Sequence, residues 1–457
     1  MRSRTALLIT MCAGMFLVQL DVTVVNVALP AVGADLRAGV TVLQWVVDGY
    51  SVVLAAFLLT GGALGDVFGH RRVVLAGFGL FGVASAVCGL AGTASWLVLA
   101  RAGQGLGAAV LLPGTLAVIT NTYPRPAERA RALGIWAGVS ALALAAGPVL
   151  GGAVVTAAGW RPVFWLNVPV VLAAAVATAR LAPRVSPRGA GRRIDVAGVA
   201  TAAPALGAGV YAVIGGSWVA GAVALLALVA FWLVERRSAD PMLPRDLLGT
   251  LGPNFVSAAM NFTGLGAILV LTLYLQGVRG FGPLESGLAV LPLFGPLSVL
   301  APVAGRLTGR FGPRPLMLAG LALGALGMLN LVLVRENSGY LVLLPTLLGL
   351  GAGMGLLTTA VVTAAVAASP PERAGVASGV NNTARQAGGA LGVAVLGAVV
   401  GEPSDAAGFL AGLREAGVLA AALWVVAIVV TLSTVRSSCG QPGQSNGSKP
   451  GLVRGRR

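Results

Sequence analysis

The sequence predicts an all-α polytopic membrane protein with about fourteen spanning helices. Three observations carry this. Of the 457 residues, 57% are hydrophobic and only 10% charged, whereas a soluble domain carries roughly 25% charged residues. Apolar runs of about 20 residues recur from end to end, each long enough to cross about 30 Å of hydrocarbon as a helix. Basic residues gather in alternate loops, the pattern that orients spanning helices.

The first span, 6–30, follows Arg2 and Arg4 and closes at Pro30. No short apolar stretch with a small-residue cleavage site precedes it, so it reads as a retained helix rather than a signal peptide. Spans at 43–65 and 73–93 flank a glycine-rich turn. Spans at 96–119 and 133–157 are separated by a loop bearing Arg125, Arg129 and Arg131. The span at 163–181 leads into a loop crowded by Arg180, Arg184, Arg188, Arg192 and Arg193. Spans at 196–215 and 217–234 follow. The second half holds 254–277, 286–307, 315–334, 339–366, 377–400 and 414–435. The tail from Ser437, rich in Gly, Ser and Pro, reads as disordered.

An even number of spans puts both termini on one side. Most loop arginines fall on that side, against Arg37, Arg161, Arg279, Arg335 and Arg414 on the other. Both termini are therefore expected in the cytoplasm, with the chain multi-pass in the cell membrane. The net charge of +16 is thus explained by loops, and nucleic acid is not an expected partner. Three scattered cysteines and one histidine, His70, make neither a disulfide framework nor a metal cluster. No nucleophile, base and oxyanion set appears, so an enzyme is not expected.

An internal repeat divides the chain. Gly62-Ala-Leu-Gly-Asp66-Val-Phe-Gly69-His70-Arg71 aligns with Gly305-Arg-Leu-Thr-Gly309-Arg310-Phe-Gly312-Pro313-Arg314. Parallel repeats are a recurring plan for secondary transporters, with the site near the midplane between halves. The expected units are a six-helix bundle at 1–182, a basic loop with two inserted helices at 183–250, a second bundle at 251–436 and the tail at 437–457.

Polar residues inside the spans are the candidate site. Asp21 follows a run from Ala6 to Leu20 without any charge. A charge there costs roughly 2.5–3.5 kcal/mol or more and marks ion or substrate pathways. Helical spacing puts Gln19, Thr23 and Asn26 on one face and Asp21 with Val25 and Ala28 on another. Asp21 therefore suits a proton, and the other face suits substrate if it lines a cavity. Asp48 shares a face with Gln44 and Ser51, either as a second proton site or at the interface. Arg101 shares a face with Gln104 and Gly105. It either snorkels outward or acts as a fixed charge that biases the titration of a nearby carboxylate. Gly147, Pro148, Gly151 and Gly152 serve close packing or a gating hinge. In span thirteen, Asn381, Asn382, Arg385 and Gln386 must face protein or water, unless Arg385 lies at the membrane boundary. In the turns, Gly62, Asp66, Gly69, Arg71, Arg72, Arg310 and Arg314 either set topology or latch helix ends as a cytoplasmic gate. Gly349 to Gly355 lies inside an apolar span and reads as helix packing. The second half shows no acid deep in a span. That absence points to substrates that are neutral, weakly charged or at most singly cationic.

Together these segments resemble the fourteen-helix drug:proton antiporters of the major facilitator superfamily. Leu20 to Pro30 is similar to that family's span-one motif. Gly62 to Arg72 resembles the superfamily's cytoplasmic turn, and Leu97 to Ala109 its arginine motif linked to proton coupling. Gly147 to Gly152 resembles the motif shared by exporters, and Trp160 to Pro169 and Ser378 to Gly392 add further signatures. Val67 and Ala143 depart from the usual residues. The resemblance implies a major facilitator fold of two six-helix bundles plus two inserted helices. It also implies a monomer without cofactor, driven by the proton gradient, that exports small hydrophobic compounds such as drugs, antibiotics or secondary metabolites. Asp21, Arg101 and Asp48 would couple protons. Gln19, Thr23, Asn26, Gln44, Gln104, Asn381, Asn382, Arg385 and Gln386 would line the cavity. Symport of a metabolite into the cell is the alternative, against which Gly147-Pro148 argues.

Overall fold

The computed structural model describes residues 2–183, 196–238, 245–335, 338–370 and 373–435. Every regular element among them is helical, and fourteen segments are long and apolar enough to cross a membrane. They are α1 (Arg4–Leu36), α2 (Val40–Phe68), α3 (His70–Gly89), α4 (Ala94–Thr122), α5 (Arg131–Ala158), α6 (Arg161–Leu181) and α7 (Ala197–Gly215). The remainder are α8 (Trp218–Arg237), α9 (Asp246–Val278), α10 (Pro283–Phe311), α11 (Pro313–Leu333), α12 (Tyr340–Ala367), α13 (Val376–Val400) and α14 (Ala406–Thr434). The crowded basic loop from Arg184 to Arg193 and the tail after Ser437 lie outside the described residues.

Each expected span corresponds to one of these helices, but several ends differ. α1 continues through Pro30 to Leu36 rather than stopping there. A proline removes one backbone donor, which a spanning helix tolerates when neighbours enclose it. Leu29 and Val32, on either side of Pro30, are fully buried.

The two halves repeat one packing plan. In the first, α2 and α3 pack on α4, α1 packs on α5, and α3 packs on α6. In the second, α10 and α11 pack on α12, α9 on α13, and α11 on α14. The turns repeat as well. Gly69 and Gly312 have φ of 89° and 79°, a left-handed conformation that glycine adopts without strain. Two residues later, Arg71 donates to Ala179 O at the end of α6 (2.6 Å), and Arg314 donates to Leu432 O at the end of α14 (3.0 Å). α7 rests on α2 and α13, and α8 packs on α7 with no buried residue of its own. These two helices stand outside the repeat.

The bundles meet along two seams, α2 with α13 and α5 with α10. Both seams close tightly at the face opposite the chain termini. There Gln44 Nε2 donates to Val393 O (3.2 Å) and Ala394 O (2.9 Å), and Glu402 accepts from the Val40 N–H (3.0 Å). Gln276 Nε2 reaches Val27 O at 3.1 Å. A β-carbon on Gly152 would stand 2.6 Å from Leu284 Cα and from Pro283 O, so glycine permits the α5–α10 approach. Toward the terminal face α5 and α10 lose their burial: Ile135, Leu142 and Val299 are all exposed, and Gly134 and Gly138 border open space. α2 and α13 stay together further along, with Leu59 against Gly379.

Candidate functional site

Asp21 lies on the face of α1 turned toward α4, inside the first bundle. It is 2% exposed and Arg101 is 1% exposed. The guanidinium Nη1 of Arg101 donates to Asp21 Oδ2 and, at 2.9 Å, to Gln104 Oε1. Its Nε donates to Val46 O on α2 (2.9 Å). The rings of Tyr50 and Phe164 flank the cation at 4.5 and 5.9 Å from their centroids. Asp21 Oδ1 accepts from Gln104 Nε2 and from Asn167 Nδ2, each at 3.3 Å. Both amides also donate to Ser85 Oγ, at 2.8 and 3.4 Å, and Ser85 in turn donates to Phe81 O (2.7 Å). Cys88 Sγ donates to Gln104 Oε1 at 3.2 Å. Five helices thus converge on one buried ion pair. Buried charges persist when paired and hydrogen-bonded. Arg101 therefore does not snorkel; it points inward to Asp21.

Close by, between the bundles, lies a cavity of about 660 Å³ that includes space open to solvent. Its polar lining is Gln19, Tyr50, Ser51, Asn261, Arg385 and Gln386, set against an apolar wall that includes Leu265, Phe294, Leu297 and Met354. Tyr50 links the two places: one side of its ring meets Arg101 and the residue also lines the cavity.

Comparison with known proteins identifies the architecture. The family described as Major Facilitator Superfamily matches residues 11–393. The chain belongs to that superfamily. Among curated relatives, "Multidrug resistance protein Stp" of Mycobacterium tuberculosis (strain CDC 1551 / Oshkosh) is 37% identical over 87% of this chain and 76% of its own. "Cephamycin export protein CmcT" of Amycolatopsis lactamdurans is 36% identical over 98% of this chain and 95% of its own. A solved bacterial homolog of the human lysosomal transporter Spinster, inward-facing and unoccupied, superposes with a TM-score of 0.66. It covers 95% of this chain and 99% of its own at 18% identity, a likeness of fold.

Within this transporter, the other residues singled out from sequence take varied places. Of the nine cavity candidates, Gln19, Arg385 and Gln386 line the cavity described above. Thr23 does not: it is fully buried and packed against Gly147 of α5. Asn26 is also buried, its amide donating to Val22 O (2.7 Å) within its own helix. Gln44 ties α2 to α13, and Gln104 belongs to the Asp21 network. Asn381 bonds Asn254 (3.0 Å) and Ser257 (3.1 Å) on α9, and Asn382 accepts from Arg385 (2.7 Å). The common cause is that helices in a bundle bury more than one polar face; a shared face in sequence does not say which neighbour it meets. Arg385 is part-buried at the cavity rather than held at the boundary.

Asp48 is fully buried but stands apart from the ion pair, and neither of its carboxyl oxygens has a hydrogen-bond partner among the described residues. In the turns, His70 Nε2 lies 3.5 Å from Asp66 Oδ1. Gly62 lies near Pro113, Arg72 is exposed, and Arg310 sits over the Phe311 ring at 5.1 Å. α5 runs as one helix through Gly147, Pro148, Gly151 and Gly152. That stretch supplies the close approach to Val24 of α1 and to the start of α10.

Sequence reasoning missed Asn167 as a partner of Asp21, Ser85 and Cys88 as partners of the amides around it, and Tyr50 and Asn261 as lining residues. A signal existed for Asn261: with Asn254 and Ser257 it forms a polar stripe at helical spacing in an apolar span.

Proposed function

We propose that this transporter exports small hydrophobic compounds from the cell in exchange for protons, by alternating access. The observation that carries the reading is the buried Asp21–Arg101 pair beside a mostly apolar cavity between two repeated bundles. The names of the relatives, multidrug resistance and antibiotic export, support the outward direction over uptake.

The loop arginines assign the terminal face to the cytoplasm, so the seams closed in this structure face outward. A proton arriving from outside neutralises Asp21 and releases the Arg101 guanidinium. The Gln104, Ser85 and Asn167 bonds must then rearrange, and Tyr50 carries that change to the cavity wall. Loss of the proton to the cytoplasm restores the pair. Asp48 is the second proton carrier, because a fully buried ionised carboxylate without a hydrogen-bond partner among the described residues is costly. The bundles rock about the cavity as the seams exchange, and the proton gradient alone supplies the drive, without cofactor. A single chain contains the whole device.

Asp21→Asn tests this in inverted membrane vesicles. The variant is expected to reach the membrane in normal amount and to lose substrate uptake driven by an imposed pH gradient. Wild-type coupling retained in Asp21→Asn would remove Asp21 from the proton path.

A further inference from the structure

Arg385 is the one charged side chain among the described residues lining the cavity. Arginine stays protonated under all ordinary conditions and offers five N–H donors. Here its Nη2 donates to Asn382 Oδ1, while its Nε is buried without any partner. Among the described residues no carboxylate pairs with it. Asp21 is taken by Arg101, and Asp48 forms no ion pair with Arg385 although its own oxygens lack partners. Around the guanidinium, Gln19, Asn261 and Gln386 line the cavity with neutral amides, and the opposite wall is apolar.

A part-buried cation without a counter-charge is costly, and the structure leaves one place from which the counter-charge can come. We infer that the transported compound supplies it: the substrate class is amphipathic organic acids, an apolar body carrying one carboxylate or similar oxyanion seated on Arg385. The planar guanidinium fork matches a carboxylate in a two-bond geometry. The hydrocarbon body lies against Leu265, Phe294, Leu297 and Met354. The same charge disfavours lipophilic cations by like-charge contact. This narrows the sequence-based expectation of substrates that are neutral, weakly charged or at most singly cationic, and sets the sign of the charge as negative. That expectation counted missing acids and did not weigh a lone arginine in the cavity. The inference rests on the export reading above.

Three probes of one shape test it: 1-naphthaleneacetic acid, its primary amide, and 2-(1-naphthyl)ethylammonium. Binding is measured by calorimetry on the full chain in lipid nanodiscs. The wild-type protein is expected to bind the acid at least tenfold more tightly than the amide, with the ammonium weakest. Arg385→Gln should erase most of the difference by weakening the acid far more than the amide, with an unchanged thermal unfolding midpoint showing that the fold is intact. Arg385→Lys should keep part of the preference. Equal binding of acid and amide, preference for the ammonium, no acid binding at millimolar concentration, or an equal loss of acid and amide in Arg385→Gln overturns the inference. Efflux from loaded cells separates it from the reading beneath. Expulsion of the amide or the ammonium but not the acid leaves export standing and removes the anion preference. Expulsion of none of the three removes export itself.

Discussion

Asp21 and Arg101 are both inaccessible to solvent, and each is the other's main compensation. Taking two ions out of water is expensive, and their attraction repays it only with good geometry and further bonds. Gln104, Asn167, the Val46 carbonyl and the Tyr50 ring supply those bonds. Breaking one side leaves an unpaired buried charge, which costs about 3–5 kcal/mol. Arg101→Ala is therefore expected to lower the thermal unfolding midpoint in detergent markedly. The double variant Asp21→Asn with Arg101→Gln should recover most of that loss, because no charge remains buried, yet stay uncoupled from protons. If the double variant is no more stable than Arg101→Ala, the pair is not the source of the cost. Asn167→Ala removes one donor to Asp21 and leaves the pair intact. It should reduce proton-driven transport less than Arg101→Ala does, which rate measurements in vesicles would show.

At the scale of elements, α5 shows why small residues decide where helices meet. Gly151 would place a β-carbon 3.0 Å from Val24 O on α1, and Gly152 would place one 2.6 Å from α10 backbone. Gly138, on the same helix, borders open space. Gly152→Leu is thus expected to hold the α5–α10 seam open at the face opposite the termini and abolish transport while expression persists, whereas Gly138→Ala should transport normally. Spin-label distances between the outer ends of α5 and α10 would report the forced separation; an unchanged distance in Gly152→Leu would contradict the packing. Arg71 and Arg314 act at helix ends, each donating to a carbonyl in the last turn of α6 or α14. Cations at a helix C-terminus contribute typically about 0.3–1 kcal/mol. Arg71→Ala and Arg314→Ala should each cost about that much in thermal unfolding. Their effects should add, since they sit in different halves with no shared partner.

At the scale of the whole molecule, the plan of spans was legible from sequence because a bilayer constrains length and polarity more severely than water does. The fourteen spans, the repeat around Gly69 and Gly312, and the polar residues within apolar helices could all be read directly. What faced what could not. Gln19 and Thr23 share a helical face in projection, yet one meets the cavity and the other meets α5, because α1 is enclosed on several sides. Asn167 and Ser85 lie far along the chain from Asp21, and only the fold brings them together. Sidedness is a third kind of property, since the coordinates of a helical bundle look alike whichever way it inserts. It comes from loop arginines such as Arg71, Arg125 and Arg236 on the terminal face against Arg37, Arg161 and Arg279 on the other. The consequence is testable with fusions. Alkaline phosphatase, active only outside the cytoplasm, is expected to be active when joined after Ser217 in the α7–α8 turn and inactive when joined after Val435. Green fluorescent protein secreted in unfolded form stays dark, so it should fluoresce after Val435 and not after Ser217. The reversed pattern would place the closed seams toward the cytoplasm, and the proton would then have to enter this state from the opposite side.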